Sequence, residues 1–210
     1  MRSICENPPL TASRQFPDIE GWTGELVQEL IYRLALAGRD RGVYLEVGSY
    51  QGKTLLSAAQ AGCQCIGVED YSQAGLGTQR PPDELREILR ENVRMHRPVY
   101  STVRLVERSC WDYFALGRVP PVSVYFYDGA HDEESQVRGL MEVRPFLRSG
   151  AIVLVDDAGA DSVRRATERV LEQEPCYDLV NLIQDSDNAR GYWNGLYCLE
   201  WLPERMTWGP

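Results

Sequence analysis

Val43-Tyr44-Leu45-Glu46-Val47-Gly48-Ser49-Tyr50-Gln51-Gly52-Lys53-Thr54 runs from a short apolar stretch through two glycines into a lysine and a threonine. A buried strand, a tight turn and the first turn of a helix account for that order. Glycines at 48 and 52 let the backbone pass close beneath a ligand, where a side chain would intrude. Around this unit, apolar runs near 64–69, 102–107, 122–127 and 151–155 alternate with amphipathic stretches near 53–61, 82–95, 133–146 and 161–172. The alternation predicts βαβ units and an α/β fold with a mainly parallel sheet. Upstream, Leu26, Val27, Leu30, Ile31, Leu34 and Ala35 recur at three and four, which predicts a helix over 21–37 ended by Gly38. Downstream, 177–183 and 192–201 are separated by polar, turn-rich residues and read as an antiparallel hairpin closing the sheet edge. Residues 1–19, with Pro8, Pro9 and Pro17, read as an irregular N-terminal arm, and residues 20–210 as a single domain.

A chain of 210 residues that is 43% apolar can bury one sizeable core. Its formal charge of -9 repels phosphate backbones and anionic lipid surfaces, so neither nucleic acid nor membrane is an expected partner. No apolar run approaches the roughly 20 residues that span a bilayer. Six irregularly spaced cysteines without a leader-like start suit reduced thiols and a cytoplasmic location. Cys63 and Cys65 share a strand face, yet no second Cys or His pair completes a zinc site. The sequence carries no readable interface, and a homo-oligomer is compatible with it.

The glycine stretch has a rival reading, because Gly48 to Thr54 ends in Gly-Lys-Thr like a phosphate-binding loop. That loop needs four residues between its glycines so that successive amides curl around a phosphate, and here there are three. Glu46, just before the turn, would oppose a triphosphate and suits a cationic sulfonium and amino group such as those of S-adenosylmethionine. Ser49 and Tyr50 belong to the same turn. About twenty residues on, Ile66-Gly67-Val68-Glu69-Asp70 ends the second strand with acids. One of them, Glu69 or in reserve Asp70, can accept both ribose hydroxyls of an adenosyl group.

Strand four runs into Asp128-Gly129-Ala130-His131, and strand five into Asp156-Asp157. Neighbouring strands would bring Asp128, Asp156 and Asp157 together beyond the glycine turn. Such carboxylates repel one another unless a cation or protons neutralise them. Oxygen ligands of this kind suit Mg²⁺ or another hard divalent cation, which lowers the pKa of a bound hydroxyl. The alternative is that Asp156 or Asp157 caps the next segment and binds no metal. His131, three residues after Asp128, is either a general base or a surface residue at a helix start. His96 ends a polar helix and carries no catalytic role.

Taken together, Gly21-Trp22 before a helix, Glu46 to Thr54, Tyr127-Asp128-Gly129-Ala130-His131 and Gly150 to Asp157 resemble the class I methyltransferases of the macrocin O-methyltransferase-like group. The resemblance runs from about residue 20 to the end. It implies a Rossmann-like, seven-stranded sheet with an antiparallel last strand and helices on both faces. It also implies S-adenosylmethionine as donor, a small-molecule hydroxyl acceptor (a sugar moiety or other natural product), and frequent dependence on Mg²⁺. Carried over by position, Asp128, Asp156 and Asp157 match the metal ligands, while Gly48 and Glu69 match donor-binding positions. Ala130 stands where some sugar methyltransferases of the group carry a second acid as base, which leaves His131 for that role. Glu107-Arg108-Ser109-Cys110-Trp111 replaces the Gly-Asp-Ser of relatives, so Ser109 and Cys110 line the adenine pocket by position alone. The competing functions are a nucleotide-binding protein and a donor-binding scaffold without turnover. The acceptor would meet the arm and the loops around 71–80 and 185–192; Trp22, Tyr71, Trp111 and Trp193 either stack on it or pack in the core or rim.

Overall fold

The computed structural model describes residues 1–13, 15–72, 80–184 and 190–205. Seven strands make one sheet: β1 (Val43–Val47), β2 (Gln64–Val68), β3 (Thr102–Val106), β4 (Val122–Tyr127), β5 (Leu147–Asp156), β6 (Tyr177–Ile183) and β7 (Leu196–Trp201). Their spatial order is β3-β2-β1-β4-β5-β7-β6. β1 pairs in parallel with both β2 and β4, while β7 lies antiparallel between β5 and β6. The expected seven-stranded, mostly parallel sheet with an antiparallel last strand is therefore present. The hairpin enters the sheet through β7, leaving β6 at the edge.

Alternation along the central strands sends two sets of side chains to opposite faces. Tyr44, Val124, Phe126, Ile152 and Leu154 join one core with α2 (Glu25–Gly38), α3 (Lys53–Ala59) and α4 (Pro82–His96). Val43, Leu45, Val47, Tyr125, Tyr127 and Val153 join the other with α5 (Cys110–Ala115), α6 (Glu133–Glu142) and α7 (Asp161–Gln173). All five residues of β1 and all six of β4 are buried, as a central strand covered by helices on both sides requires.

Three local differences from the sequence expectation have identifiable causes. The helix expected over 133–146 ends at Glu142, because Pro145 cannot donate to the helical ladder and restricts the residue before it. The short α5 follows β3, and its cap is Ser109, whose Oγ accepts the Asp112 N–H at 3.1 Å. Residues 1–19 contain one short helix, α1 (Arg2–Glu6), and bury Cys5, Phe16 and Ile19 in the first core. Ser13 and Phe16 donate backbone N–H groups to Glu29 and Gln28 of α2, which seats this segment on the domain.

α6 lies close enough on β4 that a methyl group at Gly139 would sit 2.3 Å from the Tyr127 ring. Gly139→Ala is expected to destabilise the chain by about 1–3 kcal/mol through overpacking, read as a lower urea midpoint at unchanged slope.

Candidate active site

The order of strands reverses between β1 and β4, and the carboxyl ends of the strands on either side of such a reversal open a crevice. Two cavities occupy it. One, of about 630 Å³, is lined by Gly48, Tyr50, Glu69, Asp70, Cys110 and Trp111 among others, and reaches Asp128 and His131. The other, of about 100 Å³, lies against Ser49, Lys53, Asp156, Asp157, Trp22 and Trp193. Gly48, Tyr50, Trp22, Asp128 and His131 border both.

The turn that borders them is shaped by its glycines, though not by direct room for a ligand. Gly48 has φ of 87° and Gly52 of 89°, a left-handed backbone that disfavours side chains. A methyl group at Gly48 would lie 1.8 Å from the Asp128 carbonyl oxygen, and one at Gly52 would lie 2.8 Å from Leu89. Gly48 thus lets the ends of β1 and β4 meet, where the Asp128 N–H donates to the Val47 carbonyl at 2.9 Å. Gly52 packs on α4 and lines neither cavity.

Three amides of this turn already have protein acceptors. Gly48 N–H donates to Val68, Gly52 N–H to Ser49, and Tyr50 N–H to Glu69 Oε2 at 2.8 Å. A phosphate loop needs such amides free, so this geometry argues against phosphate binding. Glu69 also accepts the Tyr71 N–H at 2.7 Å, and burial holds its carboxyl above the usual range. Asp70 lines the large cavity and accepts the Ser72 N–H. Cys110 lines it too, whereas Ser109 is occupied as the α5 cap.

Glu46 does not reach either cavity. Its side chain shares a face of β1 with Tyr44, so it points into the core behind the turn, where Tyr44 donates its hydroxyl to Oε2 at 2.6 Å and the Ser49 and Thr54 hydroxyls also face the carboxyl. Complete burial pushes its pKa up to about 7. The expected direct contact with a sulfonium is replaced by a role beneath the turn.

At the ends of β4 and β5, Asp128, His131 and Asp157 each bring one ligand atom within 4.8 Å of the others. His131 Nδ1 lies 3.2 Å from Asp157 Oδ2, and its Nε2 3.7 Å from Asp128 Oδ1. Asp157 has φ of 56°, which turns its side chain away from that of Asp156. Asp156 is outside this trio: it is buried, and its Oδ1 has no partner. Burial raises Asp128 and Asp156 well above the usual carboxylate range, and the mutual proximity of Asp128, Asp156 and Asp157 adds to it. The three aspartates expected together lie at the ends of the neighbouring β4 and β5, and His131, whose facing the sequence left open, turns toward Asp128 and Asp157.

Some of the unpartnered buried polar atoms lie here. Among the described residues, Thr23, Tyr71 and Asp156 each line a cavity and keep a buried side-chain oxygen without a partner. Each such atom is costly unless a ligand completes it. Lys53 borders the small cavity, half-buried; burial lowers its pKa, with Glu20 opposing. Trp22 stacks on Tyr50 with centroids 5.2 Å apart.

A family model described as a methyltransferase domain matches residues 45–158, over half of the chain. The chain belongs to this methyltransferase family. No curated protein sequence matches it. Among solved structures, cofactor-bound Rv0187 from MTB is similar at a TM-score of 0.65 and 20% identity, over 95% of this chain and 86% of that one. TomG of Streptomyces achromogenes, an O-methyltransferase of tomaymycin synthesis in complex with S-adenosylmethionine, scores 0.64 at 16% identity, over 89% and 83%. CalS11, a TDP-rhamnose 3′-O-methyltransferase of calicheamicin biosynthesis, scores 0.55 at 20% identity, over 84% and 77%. At these identities the likeness establishes a Rossmann-like methyltransferase fold, and the family match is to the broad methyltransferase domain rather than to the macrocin group. In this methyltransferase the matched segment contains Glu46, Glu69, Asp128, Asp156 and Asp157. Residues 73–79 and 185–189, expected to border the acceptor, lie outside the described residues. No helix is long and apolar enough to cross a membrane among the described residues.

The Glu46 carboxyl retains its proton to about pH 7 when folded, whereas an exposed glutamate loses it near pH 4.3. The stability associated with that proton is fully present below the unfolded value and lost as pH rises through about 7. Glu46→Gln is expected to exceed the parent in stability by about 3 kcal/mol at pH 8 but only about 1 kcal/mol at pH 5. Urea unfolding at both pH values checks this, and a difference that is flat with pH contradicts it.

Proposed function

We propose that this methyltransferase moves the methyl group of S-adenosylmethionine to a hydroxyl of a small molecule, with a divalent cation such as Mg²⁺ at the aspartate cluster. The observation that carries the reading is the unsatisfied, unequal polarity of the crevice. Glu69 and Asp70 stand at its adenosyl end, while a cluster of aspartates with one imidazole stands at the other.

In this reading Glu69 and Asp70 hold the ribose hydroxyls, and Cys110 and Trp111 border the adenine. Thr23 and Lys53, with Ser49 beside them, hold the donor's carboxylate, which supplies the missing partner of the Thr23 hydroxyl and a counter-charge for the lysine. Glu46 acts from behind as a support of the turn. The sulfonium then faces Asp128 and His131, which border both cavities.

A hard cation fits the donor set: Asp128 and Asp157 present oxygens close together, and Asp156 has a buried oxygen that lacks a partner. These three residues would hold it, and when bound it would lower the pKa of an acceptor hydroxyl and offset the clustered negative charge. His131 takes the acceptor's proton, a role open to an imidazole near neutral pH. Trp22 and Trp193 wall the small cavity and suit stacking on a sugar ring or planar acceptor. Donor and hydroxyl are aligned in one crevice, so much of the rate enhancement comes from orientation. Ala130 leaves no acid two residues after Asp128, so in this reading His131 is the base.

The test is formation of S-adenosylhomocysteine across a panel of sugar and phenolic hydroxyl acceptors with Mg²⁺ present. EDTA treatment and Asp156→Ala are each expected to lower turnover by a factor on the order of 100 while S-adenosylhomocysteine still binds. Full turnover in EDTA overturns the metal part of the reading, and failure of every acceptor with tight donor binding favours a silent scaffold.

A further inference from the structure

Asp157 is held by a residue that the family match does not include. Asn194 Nδ2 donates to Asp157 Oδ1 at 3.0 Å, leaving Oδ2 turned toward His131. The loop that carries Asn194 is itself tied to the aspartate loop through its backbone. Gly159 N–H donates to the Asn194 carbonyl at 2.8 Å, and Ala158 N–H to the Gly195 carbonyl at 3.2 Å. Gly159 has no side chain where a methyl group would meet Asn194 Oδ1 at 2.3 Å, so the amide lies directly over the 157–159 turn.

The same loop is anchored at its other end. Tyr192 is buried and donates its hydroxyl to the Pro9 carbonyl at 2.7 Å, and Leu26 N–H donates to the Arg190 carbonyl. Asn194 therefore projects from a backbone fixed on both sides, which gives an exposed hydrogen bond a fixed direction. Asp157 has a left-handed backbone at φ of 56°, and its carboxylate orientation is set by a side chain from another strand connection.

We propose that Asn194 is a positioning residue for the cation site: it fixes the rotamer of Asp157 so that one carboxylate oxygen is presented to the ion, and it does so without touching donor or acceptor. This rests on the metal reading above. A ligand carboxylate is commonly oriented by an outer hydrogen-bond donor, and loss of that donor typically weakens metal binding by about 10–100-fold.

The experiment uses the full chain with Mn²⁺ as probe, free Mn²⁺ being read by electron paramagnetic resonance in the presence of S-adenosylhomocysteine. Asn194→Leu is expected to weaken Mn²⁺ by about 10–100-fold, while S-adenosylhomocysteine affinity without metal changes less than about threefold, which also certifies the fold. Asp157→Asn and the double variant complete a cycle in which the two effects fail to add, because the amide acts only through Asp157. Parental Mn²⁺ affinity in Asn194→Leu, or full additivity in the cycle, overturns the proposal while leaving the metal reading in place. Absence of Mn²⁺ binding by the parent overturns both.

Discussion

Asp128, Asp156, Asp157, Glu46 and Glu69 crowd the carboxyl edge of four adjacent strands, with His131 the imidazole set among the aspartates. Burial and mutual repulsion push four of these five carboxyls toward their neutral forms. A chain that needed only stability would not concentrate acids there, since each buried charge without a partner is costly. The rest of the fold supplies the rigidity that holds them. β1 and β4 are buried along their whole lengths, and their ends are joined by the Asp128 to Val47 hydrogen bond under a glycine that permits the approach.

The electrostatic strain also explains the division of labour across the crevice. On the β2 side, Glu69 is committed to two backbone amides and so organises the turn while lining the large cavity. On the β5 side the left-handed backbone of Asp157 splits two adjacent aspartates, one aimed at His131 and one buried without a complete set of partners. A cation or a cationic sulfonium lowers the energy of this arrangement, and a phosphate would raise it.

Much of this was legible because strand periodicity and strand-end acids are local signals. The runs at 43–47 and 122–127 coincide with β1 and β4, and parallel neighbours carry their terminal residues to one edge. What the sequence hid depends on which face a residue takes or on distant partners. Glu46 lies two residues from Tyr44 and shares its inward face, a parity that composition around the turn does not reveal. Helix α5 is too short for a periodic signal, although Ser109 followed by Asp112 is a cap signature. The early end of α6 was readable from Pro145. Asn194, by contrast, sits in a turn with no motif, and its bond to Asp157 spans 37 positions in the chain.

The central claim is that this edge is built for an adenosyl sulfonium donor and not for a phosphate. Isothermal titration with S-adenosylhomocysteine, S-adenosylmethionine and ATP, each into the metal-free chain, tests it most directly. The account predicts one-to-one binding of both adenosyl sulfur compounds, weakened by Glu69→Ala, and no measurable heat from ATP. Tight ATP binding with no response to either sulfur compound would contradict it.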